Sequence, residues 1–121
     1  MKANYMIGDW VRNDLGEVQR IVELRETGAM LSYNDIYDYE EIEPVSLTPE
    51  ILKKNGFTLF GNEYSYLSRR WDIYVRPLDI KEYNIVIYRN GVQYSKNRAK
   101  YVHQLQQALR PCGIRKDIKL P

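Results

Sequence analysis

The dipeptide Asn90-Gly91 stands between two runs, Glu82 to Arg89 and Val92 to Ser95, that are apolar or aromatic at alternate positions. No other short-range feature of the chain restricts its fold as much. Both residues tolerate positive φ, which a two-residue type I′ turn requires, so the pair predicts a β-hairpin. That turn sets Arg89 opposite Val92 and Ile87 opposite Tyr94. Ile85, Ile87, Val92 and Tyr94 would then share one face, and Val86, Tyr88, Gln93 and Ser95 the other. An isolated hairpin is marginal in water, so a helix predicted from near Asn97 to Arg110 is expected to cover one face. In that helix Val102, Leu105 and Leu109 recur at i, i+3 and i+7, while Lys100, His103, Gln104, Gln106, Gln107 and Arg110 form the opposite side. Pro111 and Gly113 end it.

Upstream of the hairpin the chain reads as two regions joined by a short helix. Residues 1–46 carry short strand signals: Ile7 to Val11, a turn at Asn13 to Gly16, Glu17 to Leu24, a turn at Thr27-Gly28, Ala29 to Tyr33, and Tyr39 to Val45. The imperfect alternation of Val18, Ile21, Val22 and Leu24 predicts a bend or bulge in the second strand. Together these signals predict an SH3-like small β-barrel. Residues 47–121 begin with a helix whose ends are both marked: Thr48 as N-cap with Pro49 at the first helical position, and Gly56 at the left-handed position with Phe57 folding back on Leu52. Strands follow at Thr58 to Phe60, Glu63 to Ser68 and Trp71 to Leu78. The fold class is therefore α+β: a small barrel, a linking helix, and an antiparallel meander covered by the C-terminal helix, the second region packed as one compact unit.

Charge divides along the same line. Residues 1–50 hold four Lys or Arg against eleven Asp or Glu, a balance of −7, and residues 51–121 hold fourteen against five, a balance of +9. Such a division fits an acidic partner for the second half, attraction between the halves, or head-to-tail association of copies. A single Cys leaves no internal disulfide. No apolar run is long enough to span a bilayer and the start lacks a signal-peptide pattern, so a cytoplasmic protein is expected.

The residues for chemistry are few. His103 is the one histidine and Cys112 the one cysteine, which excludes zinc-ligand spacing. The run Asp35, Asp38, Glu40, Glu41 and Glu43 lacks the glycine and spacing of an EF-hand loop and reads as an edge strand kept soluble by charge. Neither a Gly-x-Gly-x-x-Gly nor a P-loop is present. No cofactor, no metal and no catalysis are expected. Eleven tyrosines in 121 residues exceed what a small core can use, and tyrosine suits interfaces. Arg69 and Arg70, with Arg76, Arg89, Lys96, Arg98 and Lys100, interleave with Trp71, Tyr74, Tyr88 and Tyr94, the residue types that hold single-stranded nucleic acid or a nucleotide. Alternation splits this set between two faces.

The Ile-Gly-Asp-Trp-Val start, the segment from Glu43-Pro44-Val45-Ser46-Leu47 to Lys54-Asn55-Gly56-Phe57 and the closing Lys100-Tyr101-Val102-His103-Gln104-Leu105-Gln106 resemble a family of small uncharacterised proteins of gut Bacteroides-type bacteria, their phages and mobile elements. The resemblance implies a phage or mobile-element setting and transfers no functional residue. The function expected is a non-catalytic module that binds a protein partner through His103, Gln104, Gln107 and Arg110, with Tyr74, Tyr88, Arg69 and Arg70 on the meander. A homo-oligomeric structural protein and a nucleotide or nucleic-acid binder are the alternatives.

Overall fold

The computed structural model describes residues 4–114 and 117–120. Arg115 and Lys116 of the basic tail lie outside the described residues. The protein is α+β, and its strands form two antiparallel sheets of five strands each. The chain divides into two units: Met1–Val45 with Tyr101–His103, and Ser46–Lys100 with Gln104–Pro121.

In the first unit the strands are β1 (Trp10–Arg12), β2 (Val18–Leu24), β3 (Gly28–Leu31), β4 (Ile36–Asp38) and β5 (Glu43–Pro44), in the order β4-β3-β2-β1-β5. The expected irregularity in the second strand is a register shift between Ile21 and Glu23 of β2. The expected single strand over Tyr39 to Val45 is absent. Instead Asp38 N–H donates to Glu41 Oε1 at 2.9 Å, and the chain makes a 3-10 turn over Tyr39–Glu41 before Glu43 and Pro44 pair with β1. The turn carries Ile42 into a core with Val11, Ile21, Ala29 and Leu31, against which Tyr5, Tyr37 and Tyr39 pack. β4 and β5 stand at opposite ends of the strand order, so pairing does not close the sheet into a barrel. Gly28 is required by close approach: a Cβ there would lie 2.1 Å from the Tyr37 carbonyl oxygen.

The second unit opens with α1 (Pro49–Lys54). Thr48 Oγ1 accepts from Ile51 N–H at 3.3 Å, which satisfies one of the orphan donors of the first turn. At the other end Gly56 takes φ +86°, Gly56 N–H donates to Lys53 O, and Phe57 N–H donates to Leu52 O at 3.0 Å, which is the Schellman closure. Ile51, Leu52 and Phe57 are buried. The strands β6 (Thr58–Phe60), β7 (Glu63–Leu67), β8 (Trp71–Asp79), β9 (Glu82–Arg89) and β10 (Val92–Ala99) form a plain meander in the order β10-β9-β8-β7-β6. Helix α2 (Val102–Leu109) follows and continues into a 3-10 turn over Arg110–Cys112.

The hairpin corrects the expected register. Asn90 and Gly91 take φ +51° and +81°, and Arg89 pairs with Val92 as the turn requires. A shift between Gln93 and Ser95 then makes Tyr94 the extra residue, so Ile87 pairs with Ser95 and not Tyr94. Beyond that bulge every side chain of β10 changes face: Ser95, Asn97 and Ala99 join Ile87, Ile85 and Tyr83, while Lys96 and Arg98 join Val86 and Asn84. The Ile73, Val75, Ile85 and Ile87 face is fully buried. The strand also outlasts its prediction, because β10 runs to Ala99 and the helix starts at Val102, not near Asn97.

The tail docks within the second unit. Ile118 is buried, and the buried side-chain amide of Asn55 holds the Lys119 backbone from both sides: Lys119 N–H donates to Oδ1 and Nδ2 donates to Lys119 O, each at 2.7 Å. The same Nδ2 also donates to Ile51 O at 2.7 Å. One carboxamide thereby substitutes for a strand neighbour. Among the described residues no helix is long and apolar enough to cross a membrane.

Candidate functional site

β10 is the terminal strand of its sheet and is eight residues long, so alternate residues along it direct their N–H and C=O groups away from β9. Beside it lies a groove of about 450 Å³, lined by Tyr94, Ser95, Asn97 and Arg98 of β10 and by Gln104, Gln107, Ala108, Pro111 and Cys112 of the helix and its closing turn. Ser95 and Asn97 belong to the covered face of the sheet and Arg98 to the open face. A groove that takes side chains from both faces of one strand runs along that strand's outer edge.

The groove has a polar wall and a small apolar floor. Gln104 is fixed at its start, where Lys100 N–H donates to Oε1 at 2.6 Å. Gln107 stands one helical turn on, and both amides can donate and accept. Ala108 and Cys112 are buried beneath them; the Cys112 Sγ lies 3.6 Å from Ala108 O and 3.9 Å from Ser95 Oγ. Arg98 is exposed and lies 3.6 Å from Glu82 on the open face. Among the described residues none that lines the groove is a carboxylate.

At the Tyr94 end the groove meets an aromatic cluster. The Trp71 and Tyr94 rings make an edge contact at 5.2 Å between centroids, and the Arg89 guanidinium lies 5.4 Å from the Trp71 ring centre. Arg69 and Arg70 are exposed in the preceding turn, which is held by Ser68 Oγ bonding to Trp71 O and accepting from Trp71 N–H.

The structure separates the residues that the sequence grouped. Gln104 and Gln107 line the groove. Arg110 is half-buried and is not among the lining residues. His103 is only 3% exposed, so its expected place on a solvent-facing side of the helix is overturned. It belongs to the first unit, between the Tyr101 ring, stacked at 5.8 Å, and the Tyr5 ring at 5.1 Å. Gln106 is buried as well. Tyr74 and Tyr88 meet edge-on at 5.7 Å on the open face, with Arg76 over Tyr74 and hydrogen-bonded to Glu63, a bond that raises the Arg76 pKa.

Ser95, Asn97 and Arg98 were not singled out as one site by the sequence. Their signal was topological: the last strand of a meander is an edge, and the helix after it leaves space beside that edge. Tyr94 owes its position to the bulge, which no local pattern announced. Among the described residues no group of three or more His, Cys, Asp or Glu is placed to hold a metal ion. The chain matches no protein-family model, no curated protein and no solved structure.

Proposed function

We propose that this chain is a non-catalytic binding module that takes an extended acidic segment of a protein partner onto the outer edge of β10. The observation that carries the reading is an eight-residue edge strand bordered by a groove with a guanidinium, three carboxamides and, among the described residues, no carboxylate. Main-chain pairing to the strand supplies sequence-independent affinity, and side chains of alternate residues enter the groove, where Gln104, Gln107 and Asn97 read their polar groups. Lys96 and Arg98 act as a filter. Charge on an edge strand repels a second basic strand, which protects against indiscriminate pairing, and the same charge accepts an acidic one.

The other readings receive less support. On the open face Arg76 is hydrogen-bonded to Glu63, which occupies one of the cations that would have met phosphates. The groove holds no acid–base pair beside a nucleophile, which favours recognition over catalysis. An SH3-like small barrel for the first unit belongs to this proposal; the β4-β3-β2-β1-β5 order, with a 3-10 turn before a strand that returns to β1, supports it. A cytoplasmic setting belongs to the proposal as well, as does a phage or mobile-element setting, which rests on the resemblance alone.

Selection from a displayed library of ten-residue peptides tests the proposal. The expected binders are rich in Asp and Glu, lose at least tenfold affinity with Arg98→Glu, and weaken with the pair Gln104→Ala and Gln107→Ala. They are also expected to slow hydrogen exchange along β10. Binders indifferent to both changes, or protecting amides elsewhere and not in β10, would overturn it.

A further inference from the structure

The two sheets have edges of opposite sign. β4 ends the first sheet as β10 ends the second. Between Arg25 and Lys53 the chain has no Lys or Arg and seven Asp or Glu, and β4 lies within this stretch. From Tyr83 to Gly113 it has five Lys or Arg and no Asp or Glu, and β10 lies within that one. The acids around β4, namely Asp35, Asp38, Glu40, Glu41 and Glu43, are all exposed, and so are Lys96, Arg98 and Lys100 around β10.

β4 also presents apolar groups that its charge alone does not explain. Ile36 is 52% exposed and Tyr33 69% exposed, next to the carboxylates. Ile36 pairs with Met30 and Asp38 with Gly28, while Leu31 N–H donates to Asp35 O and Tyr39 N–H donates to Thr27 O. The inward bonds thus come from Asp35 and Tyr39, and by alternation the backbone groups of Ile36 and Asp38 point outward. The Asp38 N–H is taken by the Glu41 side chain and, Asp38 being the N-cap of the 3-10 turn, its C=O by the first bond of that turn, which leaves the Ile36 N–H and C=O to meet a further strand.

We infer that the segment captured by β10 is β4, within the acidic stretch Tyr33–Glu43, of a second copy of this chain. The inference rests on the proposed docking to β10 and names its occupant. Charge selects the pairing: two β10 edges repel, two β4 edges repel, and β4 against β10 attracts. The apolar floor of Ala108, Pro111 and Cys112 receives the apolar side chains that β4 leaves exposed. Because the two surfaces differ, the contact is heterologous, and in a pair one copy keeps a β10 edge and the other a β4 edge for a further neighbour. A three-residue strand buries little area, so the association belongs to the weak class and is driven in large part by charge.

Sedimentation of the full chain over a concentration series tests this. At low salt the mass is expected to rise with concentration above 14.4 kDa, and to return to 14.4 kDa near 1 M salt, where the screening length falls to about 3 Å. Two variants then separate the edges. Asp35→Lys with Glu40→Lys disables β4, and Lys96→Ser with Arg98→Ser disables β10 without giving the altered β4 an acidic edge to meet. Each alone is expected to stay monomeric, and their equimolar mixture is expected to form a capped pair of twice the monomer mass and nothing larger. That recovery also establishes that both variants fold. A wild type that stays monomeric at every concentration, or variants that still grow alone, overturns the inference. Selected acidic peptides binding the β4-disabled variant at β10 would in that event leave the docking site standing with a different occupant. If neither the peptides nor a second copy engages β10, both readings fall.

Discussion

The two sheets have equal strand numbers and opposite means of support. In the second unit the three strands β8, β9 and β10 have nine, eight and eight residues, and Ile73, Val75, Ile85 and Ile87 meet on one fully buried face. In the first unit only β2 exceeds four residues, and the core cluster is Val11, Ile21, Ala29, Leu31 and Ile42. So small a set is supplemented by buried carboxamides. Asn13 Oδ1 accepts from Leu15 N–H at 3.0 Å and from Glu17 N–H at 2.8 Å, its Nδ2 donates to Glu17 Oε1 and to the Tyr37 hydroxyl, and Gln19 Oε1 accepts from Tyr33 N–H at 3.2 Å. A long-stranded sheet satisfies its backbone with its own ladder and gains from apolar area. A short-stranded one has more turn per strand, and side chains must supply the partners that the ladder cannot.

The largest effect is expected where apolar burial dominates. Ile87 sits on β9 between Ile73 of β8 and Ser95 of β10, with no exposed surface. Ile87→Ala should cost about 4 kcal/mol, the removed methylenes plus a cavity that rigid neighbouring strands cannot collapse. Val11→Ala, the equivalent truncation in the first unit, should cost about 2 kcal/mol, since fewer groups are removed. Urea unfolding of the two variants measures both. Equal costs would break the contrast between an area-supported sheet and a bond-supported one.

Asn13→Ala addresses the other half of that contrast. It removes the acceptor for two turn N–H groups and the donor to Tyr37, and should destabilise the first unit by about 2 kcal/mol although it deletes no apolar surface. Hydrogen exchange is expected to quicken at Leu15 and Glu17 before it changes in β9. Unchanged exchange at those amides would remove the carboxamide from the account of this sheet.

Asn13 and Tyr94 also mark how far the sequence could be read. The second unit was legible almost element by element, because its signals are local and redundant: Asn-Gly for a turn, Thr-Pro and Gly-Phe for the ends of α1, and strict alternation in β8. The face assignment of β10 was not, since a one-residue bulge at Tyr94 reverses every side chain after it and carries no signature of its own. In the first unit the turn at Asn13 was evident, but its side chain's reach to Tyr37, twenty-four residues on, was not. The acidic run was read correctly as an edge strand and incorrectly in outline, because the Asp38–Glu41 bond converts the expected extended segment into a turn. As for the site, Gln104 and Gln107 were legible as surplus polar groups. His103 was not separable from them, because helical periodicity places it beside Gln107 and says nothing of the Tyr5 and Tyr101 rings that enclose it.

A smaller effect separates a carboxamide that completes a sheet from one that only ties down an end. Asn55 carries three hydrogen bonds, two of them to the Lys119 backbone, yet a released tail can find water. Asn55→Ala should therefore cost about 1 kcal/mol, less than Asn13→Ala, with the loss confined to faster exchange at Lys119. A cost above that of Asn13→Ala would mean that the docked tail, through Ile118, supports the second sheet as the carboxamides support the first.

The smallest expected effect concerns alkaline pH and compares a phenol from each unit. Burial, with the negative surroundings of Asp9, Tyr101 and Glu43, pushes the Tyr5 pKa from 10.0 up to about 12, and burial next to Tyr64 raises that of Tyr83 in the second unit. A phenol whose folded pKa lies above its unfolded value favours the folded chain as long as it stays neutral in both states. The stabilisation is complete below pH 10. Above pH 10 the unfolded chain ionises Tyr5 while the folded chain still holds it protonated, so stability falls as the pH rises toward 12 and through it. Tyr5→Phe removes the ionisation and keeps the ring against Tyr39 and His103. The variant should match the parent at pH 8 and lose less stability between pH 10 and 12, read from the difference between the two unfolding midpoints at each pH. Exchange should localise the rescued stability to β1, β2 and β3, leaving the Tyr83 contribution in β9 untouched. Parallel midpoints across that range would show that Tyr5 ionises as readily in the folded chain as in the unfolded one, and the enclosure around His103 would then be open enough to admit water.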